Sequence, residues 1–130
     1  MNADDSQRNL SLVGCIHISV WTEDPIMSSF DDHVGSIWYD GKLVPWRDAN
    51  VHVLSHGLHY ASSVFEGERV YGGTIFKLQE HTERLFNSAR QLGFAIPHTV
   101  EEINAASYAV CEADDIVDGY VRPVAWRGSE

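Results

Sequence analysis

The 130-residue sequence predicts an α+β fold: a mainly antiparallel sheet with two consecutive helices packed on it. Three observations carry that class. Asp40-Gly41 lies between the apolar stretches Ile37-Trp38-Tyr39 and Leu43-Val44-Pro45-Trp46, and Asp-Gly favours the tight turn of a β-hairpin. Two helical patterns then follow one another, at about 80–92 and from Thr99 onward. A last extended run, Tyr120-Val121-Arg122-Pro123-Val124-Ala125-Trp126, returns to the sheet.

Residues 1–34 read differently from the rest. They hold Asp4, Asp5, Glu23, Asp24, Asp31 and Asp32 against a single Arg8, and they lack sustained periodicity. This predicts a flexible acidic N-terminal extension, with Ile16-His17-Ile18-Ser19-Val20 alternating briefly enough for one short strand. Order is expected from about Ser36, giving one domain over 35–130. After the Asp40-Gly41 hairpin, Val51–Leu54 reads as a short extended piece and Ser55–Ser62 as a loop or short helix. A strand spans about Val64–Tyr71, Gly72-Gly73 turns it, and Thr74–Leu78 returns antiparallel. In the first helix Leu85, Phe86, Ala89 and Leu92 form the apolar stripe, and Gly93 suits the residue just past its end. Thr99 and Glu102 fit a capping box opening the second helix, which buries Ile103, Ala106 and Val110.

Charge and cysteine usage bound the function. Nine Lys and Arg against 19 Asp and Glu give a net charge of −10, which argues against nucleic acid or an anionic membrane as partner. Cys15 and Cys111 are far apart and outline neither a metal knuckle nor a disulfide framework. Asp4 and Asp5 stand where a signal peptide needs basic residues, the Asn9-Leu10-Ser11 sequon has no secretory context, and no apolar run approaches membrane-spanning length. A cytoplasmic protein is expected.

Five groups of residues invite chemistry. Along 64–71, Phe65, Gly67, Arg69 and Tyr71 share one strand face; a glycine between a ring and a guanidinium marks a close approach and suggests a pocket wall. Val64, Glu66, Glu68 and Val70 share the other, where the two glutamates are expected to face solvent rather than run acid–base chemistry. Tyr120 and Arg122 lie on one face, as carboxylate donors or as the solvated side of an edge strand, which Pro123 would suit. Arg84, read as lying in the first turn of its helix, either clamps a phosphate or pairs with Glu80 on the surface. His52, His56 and His59 fall at i, i+4 and i+7, a conceivable metal site, but β-like Val51-His52-Val53 and Gly57 favour local hydrogen bonding, and no metal is assigned. The only lysines, Lys42 beside a turn and Lys77 on the return strand, lack the apolar setting that depresses an amine for Schiff-base chemistry.

Together these pieces resemble the N-terminal part of the branched-chain amino-acid aminotransferases, members of the fold-type IV (class IV) pyridoxal-phosphate enzymes. The motifs carrying the resemblance are Trp38-Tyr39-Asp40-Gly41, Val51–Tyr60, Val64-Phe65-Glu66-Gly67-Glu68-Arg69, His81-Thr82-Glu83-Arg84-Leu85 and Tyr120-Val121-Arg122-Pro123. The resemblance implies roles. Arg84 would hold the phosphate of pyridoxal 5'-phosphate, and Phe65 would wall the pocket for the aliphatic side chain. Tyr60 would reach into a neighbouring subunit, implying a homo-oligomer. Tyr120 would bind the substrate α-carboxylate and Arg122 the side-chain carboxylate of glutamate, with Gly67 and Arg69 lining the same cavity.

The family reaction is a ping-pong transfer of the amino group of leucine, isoleucine or valine to 2-oxoglutarate. Two departures stand out. Residues 1–34 have no counterpart in the family pattern, and the family continues past Glu130 into a C-terminal domain holding the Schiff-base lysine. The expectation is therefore a truncated N-terminal domain, without a catalytic residue of its own and inactive alone. The alternatives are a non-catalytic interaction module that kept the fold, or another fold-type IV enzyme, a D-amino-acid aminotransferase or an aminodeoxychorismate lyase.

Overall fold

The computed structural model describes residues 14–22 and 29–129, with residues 14–17 and 21 described by backbone alone. Asp4, Asp5, Asn9, Glu23 and Asp24 fall outside these ranges. In order come β1 Gly14–Trp21, β2 Ser36–Tyr39, β3 Lys42–Pro45, a single 3-10 turn Trp46–Asp48 and the short helix α1 His56–Tyr60. Then follow β4 Ser63–Phe65, β5 Glu68–Tyr71, β6 Thr74–Ile75, α2 Leu78–Gln91, α3 Val100–Ala113 and β7 Gly119–Arg127. The seven described strands form one sheet in the order β3-β2-β1-β7-β5-β6, with β4 also on β7. Every pairing in it is antiparallel, so the α+β expectation holds.

The β2–β3 hairpin turns on Asp40 and Gly41, whose φ values of 43° and 101° are the two positive angles that a type I′ turn needs. The capping box of α3 is complete: Glu102 N donates to Thr99 Oγ1 at 3.2 Å and Thr99 N donates to Glu102 Oε2 at 2.7 Å. α2 begins at Leu78, earlier than its periodicity suggests, and buries Leu78, Thr82, Leu85 and Ala89. Leu92 lies past its end and is exposed. Lys77 is not on a return strand, since β6 stops at Ile75; it caps α2 in the left-handed conformation, at φ 57°.

Within residues 1–34, Gly14–Trp21 forms β1 over the stretch 16–20 whose alternation suits a short strand. This strand is internal to the sheet, pairing with β7 from Gly14↔Arg127 to Trp21↔Tyr120 and with β2 at Ile18↔Trp38. Ile18 and Val20 are 0% and 3% exposed and belong to the core beneath α2 and α3. A five-residue alternation in a polar stretch is a weak local signal, but a strand bordered by two partners draws its stability from both ladders and from the helices above.

β7 is therefore central, and Pro123 sits in a central strand. Its carbonyl accepts the Glu66 N–H at 3.0 Å, but it has no N–H to return. The ladder lapses there, which splits the expected strand 64–71 into β4 and β5. The register runs through unchanged, from Phe65↔Val124 to Glu68↔Val121. Both main helices lie on the sheet face that carries Ile18, Val70, Val121 and Ala125, so the alternate residues of β4, β5 and β7 face the other way. Among the described residues no helix is long and apolar enough to cross a membrane.

Candidate functional site

On the face turned away from α2 and α3, β7 presents Tyr120, Arg122, Val124 and Trp126, with the short helix α1 against Trp126. Arg122 organises the group. Its guanidinium carbon lies 4.6 Å from the centroid of the Phe65 ring and 5.4 Å from that of Tyr120. It also donates to Tyr120 Oη, from Nη2 at 3.0 Å and from Nε at 3.3 Å. A cation stacked on an exposed ring is stabilised by the ring's negative face. The edge-strand alternative for Tyr120 and Arg122 falls with the central position of β7.

Gly67 faces Arg122 across the lapsed ladder. A Cβ at this position would lie 2.2 Å from Tyr120 Oη and 3.0 Å from the ring carbon that carries it. The close approach expected of this glycine is thus to the Tyr120 side chain. Arg69 is the register partner of Tyr120 and lies 5.6 Å over the Tyr71 ring. The structure so brings Phe65, Gly67, Arg69, Tyr120 and Arg122 onto one face. Arg122 and Val124 also line an open cavity of about 630 Å³ with Ser19, Ile37 and Trp46. Tyr60 ends α1 at 73% exposure, and its ring contacts are with His56 and His59 rather than with this group.

The opposite face holds the main correction. Glu66 and Glu68 do not face solvent; they are 5% and 0% exposed. They share a face with Val64 and Val70, and α2 covers it. Glu66 accepts two parallel bonds from Arg84, Nε to Oε1 at 2.7 Å and Nη2 to Oε2 at 2.7 Å, and its Oε2 lies 2.7 Å from His81 Nδ1. Burial raises the Glu66 carboxyl, but Arg84 and His81 outweigh it and hold the group below the usual carboxylate range. Among the described residues neither oxygen of Glu68 finds a hydrogen-bond partner. Burial first, and the charge of Glu66 second, push it up to about 8, so it is protonated at neutral pH.

Arg84 sits in the second turn of α2, not the first, and its expected partner Glu80 is instead bonded to Lys77 at 2.8 Å. The Arg84 side chain is 65% exposed. A cavity of about 300 Å³ lies beside it, lined by Lys77, Glu80, His81 and Arg84. Nε and Nη2 serve Glu66, Nη2 also lies 3.4 Å from His81 Nδ1, and the N–H groups of Nη1 suit a phosphate group. His52, His56 and His59 are locally engaged. His52 Nδ1 accepts from Leu54 N at 3.1 Å, His56 Nδ1 lies 2.6 Å from Ser62 Oγ, and His59 Nε2 lies 2.9 Å from Val53 O.

Two members were not foreseen: Glu66, as the anchor of Arg84, and His81. Alternation puts Glu66 on one face with Val64 and Val70 but does not say that a helix covers that face. His81 and Arg84 are three apart on a helix and so reach one partner.

The sequence and the fold belong to a known class. The family model described as amino-transferase class IV matches residues 63–130, and the chain belongs to this family. Within it the chain is a homologue of the branched-chain-amino-acid aminotransferases. It is 52% identical over 100 residues to the "Probable branched-chain-amino-acid aminotransferase" of Rickettsia bellii, covering 77% of this chain and 35% of that one. With the branched-chain-amino-acid aminotransferase of Pseudomonas aeruginosa it shares 49% over 106 residues, covering 78% and 34%. Among solved structures, the T.th. branched-chain amino acid aminotransferase complexed with N-(5'-phosphopyridoxyl)-L-glutamate superposes with a TM-score of 0.72 at 42% identity, covering 75% of this chain and 34% of that one. The same T.th. protein has been solved with 4-methylvaleric acid. The chain thus spans about a third of the length of the relatives it matches.

Proposed function

We propose that this chain supplies the substrate-recognition face of a branched-chain amino-acid transaminase, one that exchanges the amino group of leucine, isoleucine or valine with 2-oxoglutarate. The observation that carries this reading is Arg122 stacked on Phe65 at 4.6 Å and bonded to Tyr120 at 3.0 Å. Such a pocket must take an aliphatic side chain in one half-reaction and a carboxylate in the other. Phe65 offers the aliphatic chain an apolar wall. Arg122, resting on that same ring, is the cation whose fork suits the second carboxylate of glutamate. Tyr120 Oη, bonded by Arg122 and close against Gly67, is the hydroxyl suited to donate to the α-carboxylate. Arg69 closes the polar side of the group. Tyr60, exposed on α1, is the residue suited to reach a second copy of the protein.

Pyridoxal 5'-phosphate, when bound, supplies the electron sink for the reaction. Arg84 is the residue here that fits its phosphate. The chain's own lysines stand elsewhere: Lys42 is exposed on β3, and Lys77 is paired with Glu80 on the surface. Neither is placed as the reaction's amine, and the part of the site in this chain binds and orients.

The test uses two bound-state conjugates, N-(5'-phosphopyridoxyl)-L-glutamate and its leucine counterpart. Arg122→Leu is expected to weaken the glutamate conjugate about tenfold or more while changing the leucine conjugate far less, because only the first loses a charge-assisted partner. An equal loss for both conjugates would overturn the assignment of Arg122.

A further inference from the structure

The geometry points to Glu66 as the positioning residue for Arg84: a buried carboxylate on the sheet fixes the plane of a largely exposed guanidinium and aims its remaining N–H groups at the cavity beside α2. This deepens the proposed function and rests on Arg84 being the phosphate contact.

Arg84 alone is poorly suited to hold a phosphate in one place. Its side chain is 65% exposed, and a long exposed arginine samples many rotamers. Glu66 is its opposite, 5% exposed on the short link between β4 and β5, with its own N–H bonded to Pro123 O at 3.0 Å. The two bonds from Arg84 to Glu66, both 2.7 Å, run side by side and so fix direction as well as distance. His81, one turn earlier on α2, lies 2.7 Å from Glu66 Oε2 and holds the carboxylate from a second side. Lys77 and Glu80 pair at 2.8 Å on the rim of the same cavity. Each cation there thus has a carboxylate partner before any anion arrives. Recognition by surplus charge is therefore weak, and recognition by oriented donors is what the arrangement favours. The neutral Glu68, two residues along the same face, adds no second negative charge to oppose the phosphate.

Positioning and bystander charge predict opposite signs. If Glu66 merely offset the charge of Arg84, its neutralisation would tighten anion binding. If it positions Arg84, Glu66→Gln releases the fork and weakens binding, by about tenfold in line with other residues that orient a primary contact. The experiment titrates the full 130-residue chain with pyridoxal 5'-phosphate and with inorganic phosphate, followed by the NMR signal of Arg84 Nε, which reads millimolar binding. It uses the wild type, Arg84→Ala, Glu66→Gln and the double variant, the alanine proteins being followed through His81 and Lys77 signals. The expected result is a loss in each single variant and no further loss in the double, since Glu66 acts only through Arg84.

Additive losses overturn the proposal, as does tighter binding by Glu66→Gln. A loss in Arg84→Ala without one in Glu66→Gln removes the role of Glu66 and leaves the phosphate assignment standing. Wild-type binding that is absent or indifferent to Arg84→Ala removes both. Should Glu66→Gln fail to fold, Arg84→Lys asks the same question: it keeps the charge, loses the fork, and is expected to bind as weakly as Arg84→Ala. A lysine variant that binds like wild type would refute positioning.

Discussion

A carboxyl with no exposed surface and no hydrogen-bond partner folds best with its proton on, and Glu68 is such a group. Its folded value is raised to about 8 from an ordinary 4.5, so between those values the native state holds a proton that the unfolded chain has released. The contribution of Glu68 is complete below about pH 4.5 and is lost as the pH climbs to about 8, at about 1.4 kcal/mol per pH unit. Glu66, two residues away, runs the other way: its lowered value makes its contribution present above the ordinary carboxylate range and lost as the pH falls below it. Replacing Glu68 by Met, similar in size and without a charge to bury, should therefore flatten the alkaline side of the stability profile. Urea unfolding of wild type and variant at about pH 5, 6.5 and 8 measures this. The variant should gain on the wild type as the pH rises, and a constant difference across the three would contradict the buried-acid account.

At the scale of elements, legibility followed the range of the interactions. α2 and α3 were readable because helical periodicity and the Thr99–Glu102 box are local, and the β2–β3 hairpin because Asp40-Gly41 specifies its own turn. The pairing of β7 with β1 on one side and with β4 and β5 on the other joins residues about a hundred and about fifty positions apart, and nothing local announces it. For that reason Tyr120 and Arg122 were readable as a pair while the burial of Glu66 was not. The first needs only strand alternation, whereas the second needs the knowledge of which face α2 covers. Gly67 lay between these cases, since its identity announced a close approach and only the register named Tyr120 as the group approaching. Gly67→Ala should push the Tyr120 ring off β5 and uncouple it from Arg122. Overpacking of this kind costs about 1–3 kcal/mol in stability. It should also weaken both phosphopyridoxyl conjugates alike, unlike the selective effect of Arg122→Leu, because Tyr120 is assigned to the carboxylate that all substrates share. Thermal unfolding and the same conjugate titrations check it. A variant of wild-type affinity would show that the ring's position is not set by the glycine.

Over the whole molecule the sheet separates two tasks. The face turned away from α2 and α3 gathers Phe65, Gly67, Tyr120 and Arg122, and the face that α2 and α3 cover holds the Glu66–Arg84–His81 network whose outer edge meets the second cavity. Both depend on β7 staying central in the sheet, and β7 is held on one side by β1 along that strand's whole length, from Gly14 to Trp21. A domain taken as residues 35–130 therefore omits a strand that the site requires. Without β1 the β2–β3 hairpin has no strand between it and β7, and the core loses Ile18 and Val20, two buried side chains worth about 1.5–3 kcal/mol each. Marginal stability in a domain this small does not survive a loss of that size together with eight residues of ladder. A polypeptide of residues 35–130 is expected to show no cooperative thermal transition and poorly dispersed amide signals, whereas residues 14–130 should retain both. A cooperative transition in the shorter polypeptide, at the temperature of the longer one, would restore the boundary near Ser36 and reduce β1 to an accessory strand.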